Sequence, residues 1–266
     1  MLELQSVRPY AETCFASGYW QRDPCAQYKP RHNQLLAALP PKDYERLLPD
    51  LEPVSLPLGL TVHRAGEREK YLYFLTAGIV SRYCLTENGA SAEFAVTGRE
   101  GVIGIASFLG GAGLPSQAVV VSAGYAYRLA GDPLQHEFNR YGPLSHLLLR
   151  YTQALIAQTG QIAVCNRHHS LEQQLCRYIL SNLDRLPSDV LAVTQEMIAN
   201  MLGVRRGGVT EAAGNLQKAG LLRYSRGRIA VLDRPGLEAR ACECYAVVKR
   251  EYDRLLPEYR QVEVAA

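Results

Sequence analysis

The sequence predicts an α+β protein: a β roll first, then a long helix, then two short helices and a hairpin. Three observations carry this. Between Glu52 and Leu129, short apolar or alternating runs are punctuated by glycine-rich turns, the pattern of a jelly roll rather than a parallel sheet. From Pro143 to about Asn166, Leu148, Leu155 and Ile162 recur seven apart, so one long helix is expected. From Thr194 to Leu222, two short apolar periods are joined at Gly203 and followed by strand, basic turn and strand, which is a helix-turn-helix with a wing.

Each element has its local reason. Residues 1–31 mix Tyr, Pro, Cys and charge without a period and are expected to form an arm. His32 to Leu51 reads as two short helices broken at Pro40-Pro41. In the roll, YLYFL, GIVSRYCL, SAEFAV, QAVVVSA and YAYRLA read as strands, and Asn88-Gly89 suits a hairpin with positive φ at both central positions. The expected first domain spans 32–142 and the long helix 143–166. On that helix Leu148, Tyr151, Leu155, Thr159 and Ile162 are expected to form the seam of a homodimer. Residues 167–266 form the last domain, opening on a helix from His168 to Leu186 and closing on one from Pro235 to Leu256.

Within that domain, Thr194 is placed to cap the first short helix and Gly203 to end it. Ile198, Met201 and Leu202 give its buried face. Val209, Ala212, Ala213 and Leu216 give that of the second helix, which Gly220 closes. Charge separates this unit from an ordinary helical hairpin. Arg205, Arg206, Lys218, Arg223, Arg226, Arg228 and Arg234 stand against Glu211 and Asp233, a local excess of five in a chain whose net charge is only +3. The excess sits at the start of the second helix and on the wing, where phosphates would lie. The candidates facing DNA are Gln195, Arg205, Arg206, Thr210, Glu211, Lys218, Arg226 and Arg228.

The length of 266 residues suits two domains. No leader-like or membrane-spanning run is found, so a cytoplasmic protein with no membrane partner is expected. Its seven cysteines are then free thiols by default. Cys14 and Cys25 have no close third partner, so an iron–sulfur signature is absent. Cys165 with His168 and His169 on adjacent turns suits a shared metal or, as an enzyme, a nucleophile and base with Glu100 or Glu93 as acid; a buried cysteine beside a hinge is the simpler expectation. Cys242 and Cys244 are expected on different helix faces. No phosphate loop, nucleophile elbow or His-Glu-x-x-His supports catalysis. Neither a metal nor a catalytic residue is therefore expected.

The order β roll, long helix, winged helix-turn-helix resembles the Crp/Fnr family of bacterial transcription regulators. The resemblance covers about Leu35 to Asp233 and rests on HRAGEREKYLYFLTAGIVS, TQEMIANMLGVRR and RYSRGRI. It implies a cyclic-nucleotide-binding-like roll, a dimerisation helix and binding to a near-palindromic operator. Double-stranded DNA, a second copy and RNA polymerase would be the partners. It makes Gln195 a phosphate contact and Arg206 the reader of a guanine. Gly207 stands where many members carry a base-contacting glutamate, and Glu211 where the cyclic AMP receptor has an arginine. Ile105 and Ser116-Gln117 stand where cyclic-nucleotide binders have the ribose glutamate and the phosphate-holding Arg-Ser pair, so cyclic AMP is not expected. Arg82 or Arg99 leaves another nucleotide open. The effector is thus unknown, no cofactor is expected, and a redox or metal signal through Cys and His is the alternative.

Overall fold

A computed structural model describes residues 28–257 except 112. Most of the expected arm, with Cys14 and Cys25, lies outside the described residues. What is described of it docks on the roll: the Tyr28 ring stacks on Tyr125 at 4.7 Å, and Tyr127 donates to the Tyr28 carbonyl. Then come α1 (Gln34–Ala37) and α2 (Pro41–Leu47), divided at Pro40-Pro41 as expected, and the strands β1 (Leu51–Leu56) and β2 (Thr61–His63).

Two long strands organise the roll. β3 (Tyr71–Leu85) pairs antiparallel with β6 (Gln117–Ala130) along its length. The sequence suggests four short strands here; the chain makes two. Gly78 and Gly124 are not turns but the corner where both strands bend: a Cβ on Gly124 would stand 2.0 Å from the Ala77 carbonyl oxygen, and one on Gly78 2.6 Å from that of Ser122. Register shifts on either side of Gly78 mark the bulged bend. β1 and β5 (Val102–Ile103) flank one half of this ribbon, and β2 and β4 (Ser91–Thr97) the other. Leu56, Leu75, Val80, Ile103, Val120 and Ala126 fill the space between the halves. The β3–β4 turn has positive φ only at Gly89, not also at Asn88. Gly89 N–H bonds back to the Thr86 carbonyl and Thr86 N–H to that of Ala90, so this is a three-residue loop ending in a left-handed glycine.

Between β5 and β6 lies the short helix α3 (Ala106–Leu109), and after β6 comes α4 (Gly131–Phe138). The long helix α5 (Pro143–His168) then packs across the roll. Its Leu144, Leu148, Tyr151 and Leu155 join Leu35, Leu36, Phe74 and Leu129 in the largest core. Tyr151 is fully buried; its hydroxyl donates to the Val102 carbonyl at 3.1 Å and meets Thr97 Oγ1, also at 3.1 Å.

The C-terminal domain has its own core, from Leu175 and Ile179 to Leu216, Leu222 and Ile229. It comprises α6 (Leu171–Leu183), β7 (Val190–Ala192), α7 (Gln195–Leu202), α8 (Arg206–Lys218), β8 (Leu222–Ser225), β9 (Arg228–Val231) and α9 (Arg234–Arg240). The single closing helix expected from the sequence is two: after α9 the chain is extended at Ala241 and Cys242, then forms α10 (Glu243–Leu255). α10 returns to α5 and places Leu255 and Leu256 in the core of the roll. A buried Glu100–Arg185 pair at 2.7 Å also ties the two domains together.

Candidate nucleic-acid interface and its surroundings

α7 begins where Thr194 accepts from Met197 N–H, and it ends at Gly203 with φ +68°. Val204 N–H then bonds back to the Ala199 carbonyl, closing the turn as a glycine-ended helix does. α8 starts at once, with Arg205 as its N-cap residue and Arg206 in its first position. Val209, Ala212, Ala213 and Leu216 are buried, so the opposite face is presented to solvent. Arg205, Arg206, Thr210, Glu211 and Lys218 are all exposed on it. Thr210 Oγ1 lies 2.7 Å from Gln195 Oε1 and 3.1 Å from the Arg206 carbonyl oxygen, which holds the start of α7 beside the first turn of α8. A basic helix start with free N–H groups is a favourable seat for a phosphate.

The wing is held to α8. Gln217 accepts from Tyr224 N–H at 2.9 Å, and the Tyr224 hydroxyl donates to the Val193 carbonyl. Its tip is a two-residue turn with positive φ at both Arg226 and Gly227, the primed geometry that suits a tight hairpin. Arg226 and Arg228 are exposed. The structure thus brings all eight sequence candidates onto one domain, on α7, α8 and the wing. Of the two glycines in α8's first turn, Gly207 has open space where a Cβ would be, while Gly208 lies under Leu171, with 2.7 Å to a would-be Cβ. Only Gly207 is open on its Cβ side.

The dimer-seam residues are a correction. Leu148, Tyr151, Leu155 and Ile162 are at most 4% exposed within a single chain; side chains already enclosed have no surface to offer a partner. Thr159 is half-buried and donates to the Leu155 carbonyl. A second stripe, one residue along, is the open one: Leu149 and Ile156 are 47% and 67% exposed, Ala163 is exposed too, and Gly160 and Val164 are exposed beside them.

In the roll, Ile105 is buried in the apolar core and Ser116 is buried too. The first N–H of α3, on Ala106, is taken by the buried Glu69 carboxylate at 2.7 Å. Arg99 is exposed. Arg82 is buried; its Nη2 lies 3.5 Å from the Val102 carbonyl, and Nη1 has no partner among the described residues. His63 Nε2 is likewise without one, and burial, then the Arg82 charge, pulls its pKa down to about 4.

The chain's likeness to known proteins agrees with this architecture. Residues 53–141 match the cyclic nucleotide-binding domain, and residues 173–240 the Crp-like helix-turn-helix domain. Together these cover more than half of the sequence. The chain belongs to the Crp/Fnr family of transcription regulators. No curated protein matches it. Among solved structures, a Crp/Fnr-family regulator from Eubacterium rectale superposes with a TM-score of 0.64 at 16% identity, over 79% of this chain and 98% of that one. FixK2 from Bradyrhizobium japonicum gives 0.64 at 17%, over 72% and 98%. The regulator CLP of Xanthomonas campestris, described as responsive to c-di-GMP, gives 0.59 at 16%, over 71% and 98%. At these identities the likeness is one of fold. It includes the roll, the long helix and the helix-turn-helix, as the sequence predicts.

The cysteines hold a second correction. Cys242 and Cys244 do not diverge: Cys242 is the extended N-cap residue of α10, so helical spacing does not apply across the pair. Both are buried with Cys165 in one cluster, beside His169. His168 is exposed. The acids of the enzymatic alternative are engaged elsewhere, Glu100 with Arg185 and Glu93 with Ser81 at 2.6 Å. Among the described residues, no helix is long and apolar enough to cross a membrane.

Proposed function

We propose that this family member is a cytoplasmic, dimeric regulator that reads a near-palindromic operator by laying α8 in successive major grooves. The observation that carries this is the exposed basic face of α8 and the wing on a domain with its own apolar core. Arg206 in the first position of α8 has the reach for a bidentate contact with guanine O6 and N7, while Gln195, Arg205, Lys218, Arg226 and Arg228 meet phosphates. Thr210 and Glu211 lie on the same face and tune base choice. RNA polymerase is the expected partner once the protein is on DNA.

The dimer forms through the second stripe of α5. Leu149, Ile156 and Ala163 are seven apart, with Thr152 and Thr159 at the intervening positions. Both threonine hydroxyls are spent on carbonyls one turn back, so methyl groups remain for a close, partly apolar seam.

Cyclic AMP is not the effector. A cyclic phosphate at the start of α3 would meet the Glu69 carboxylate, and no arginine replaces Ser116 to offset that charge. Unpaired ions in such a site are costly. The unpartnered Arg82 Nη1 and His63 Nε2 favour a small anion bound inside the roll. Selecting genomic fragments on the purified protein, with and without cyclic AMP, tests the whole reading. The expected outcome is a two-fold symmetric sequence recovered equally in both arms. Recovery without symmetry or sequence preference would defeat it, and enrichment only with cyclic AMP would defeat the effector assignment.

A further inference from the structure

Four metal-ligating side chains from two distant stretches of the chain meet where α5 ends and α10 begins. One potential ligand atom from each of Cys165, His169, Cys242 and Cys244 lies within 4.8 Å of all the others. Cys165 Sγ and Cys242 Sγ are 3.5 Å apart, and Cys244 Sγ is 3.4 Å from His169 Nδ1. A tetrahedral zinc ion, with bonds of about 2.3 Å to sulfur and 2.0–2.1 Å to nitrogen, sets its ligand atoms roughly 3.8 Å apart for two sulfurs and roughly 3.5 Å for sulfur and nitrogen. The cluster has that scale. It is too tight for an iron–sulfur cluster, whose cysteines attach to different irons.

The surroundings are those of a ligand set. His169 turns its other nitrogen, Nε2, to the Glu243 carboxylate at 3.2 Å, which would fix the ring with Nδ1 as the coordinating atom. Arg177, buried, donates from Nε to Cys165 Sγ at 3.2 Å. Gln161 donates from Nε2 to Cys244 Sγ at 3.1 Å. Donors aimed at two of the sulfurs suit thiolates better than thiols. Cys242 is the N-cap residue of α10 and Cys244 lies in its first turn, at the helix end where the dipole favours negative charge.

We propose that Cys165, His169, Cys242 and Cys244 bind one zinc ion in a closed Cys3His site. On binding, three thiol protons leave to solvent and the neutral imidazole keeps its Nε2 proton. The complex then carries one net negative charge, which the Arg177 guanidinium offsets. No coordination position remains for water, so the ion is a fastener, not a Lewis-acid catalyst. It joins α5 and α10 at the joint from which α6 and the DNA-binding domain depart.

The test uses full-length protein purified under reducing conditions without chelator. Elemental analysis should find one zinc per protomer. After chelation, added Co(II) should give the visible absorption of tetrahedral cobalt with thiolate-to-metal charge transfer. Cys242→Ser and His169→Ala should lose the metal, and Cys84→Ser, an exposed cysteine elsewhere, should keep it. Because a ligand variant can fail to fold, Glu243→Gln is the companion: its side chain is 69% exposed, and zinc affinity should fall about 10–100-fold with the fold intact. Zinc-free protein that gives no thiolate–cobalt spectrum would overturn the proposal. So would a Cys165–Cys242 disulfide found in metal-free protein that takes up no ion when reduced, or full zinc retention by Cys242→Ser. None of these readouts depends on DNA, so the site and the operator can fail separately.

Discussion

Glu93 is a carboxyl group enclosed where the roll meets the C-terminal domain. Ser81 of β3 donates to it, Met201 of α7 touches that same hydroxyl, and Arg177, Arg185 and Tyr178 of the α6 region face it through space. Burial outweighs these donors and cations and pushes its pKa from the ordinary 4.5 up to about 7. The folded protein therefore holds this proton more tightly than the unfolded chain. Its contribution to stability is highest below pH 4.5 and is lost as pH rises through about 7. Glu93→Gln should remove that fall: the melting temperature of the variant relative to the parent should rise with pH across this window. A constant difference would show that Glu93 is already ionised throughout. On the DNA side, two arginines should separate by type. Arg206→Ala should cost about 1–3 kcal/mol on the preferred operator and relax choice at one base pair. Arg228→Ala should weaken all sequences alike and make the salt slope shallower by about one. Competition binding on single-base operator variants at two salt concentrations checks both; an unchanged base preference in Arg206→Ala would mean that α8 is oriented otherwise.

At the level of elements, α5 shows what a sequence can and cannot display. Its length, its start at Pro143 and its period of seven were legible. Which stripe faces inward was not, because Leu148, Leu155 and Ile162 and their neighbours Leu149, Ile156 and Ala163 are both apolar at the same spacing. Only the roll packed against one of them breaks the tie. Leu155→Ala should accordingly cost about 2–5 kcal/mol in unfolding experiments and leave the association state unchanged; a monomer of parental stability would restore the inner stripe as the seam. The long strands misled for a related reason, since Gly78 and Gly124 carry the turn signal but serve a bend. The helix-turn-helix was read almost residue by residue: its caps, its glycine stop and its basic face are all local features. Of the Cys3His cluster only Cys165 and His169 were read, as one alternative, because the other two ligands come from a stretch 77 residues on. In α8, Gly207→Ala should raise helix stability by up to about 1 kcal/mol and, because this position faces open space on the DNA side, lower operator affinity. A thermal melt and a titration on one preparation decide this; higher stability with unchanged affinity would remove Gly207 from the interface.

The whole molecule is a chain that leaves its sensor roll along α5, builds a reading head, and returns through α10 to the core it left. That return explains why the last helix, outside the family resemblance, is integral: Leu255 and Leu256 are buried beneath the roll, and Glu100–Arg185 braces the same junction. A ligand bound in the roll or at the joint would therefore act on one connected body, and one that distinguishes two of its arrangements would shift DNA affinity by that difference alone. Reading a symmetric operator needs two such bodies joined along α5, so the decisive measurement is sedimentation of the parent and of Ile156→Arg, each with and without operator duplex. The parent should sediment as a dimer and place two protomers on one duplex. Ile156→Arg should be a folded monomer whose operator affinity falls about 10²–10⁴-fold, the loss expected when two half-sites are no longer bound by linked heads. An Ile156→Arg protein that remains dimeric, or a parent that occupies the duplex as one protomer, would contradict it.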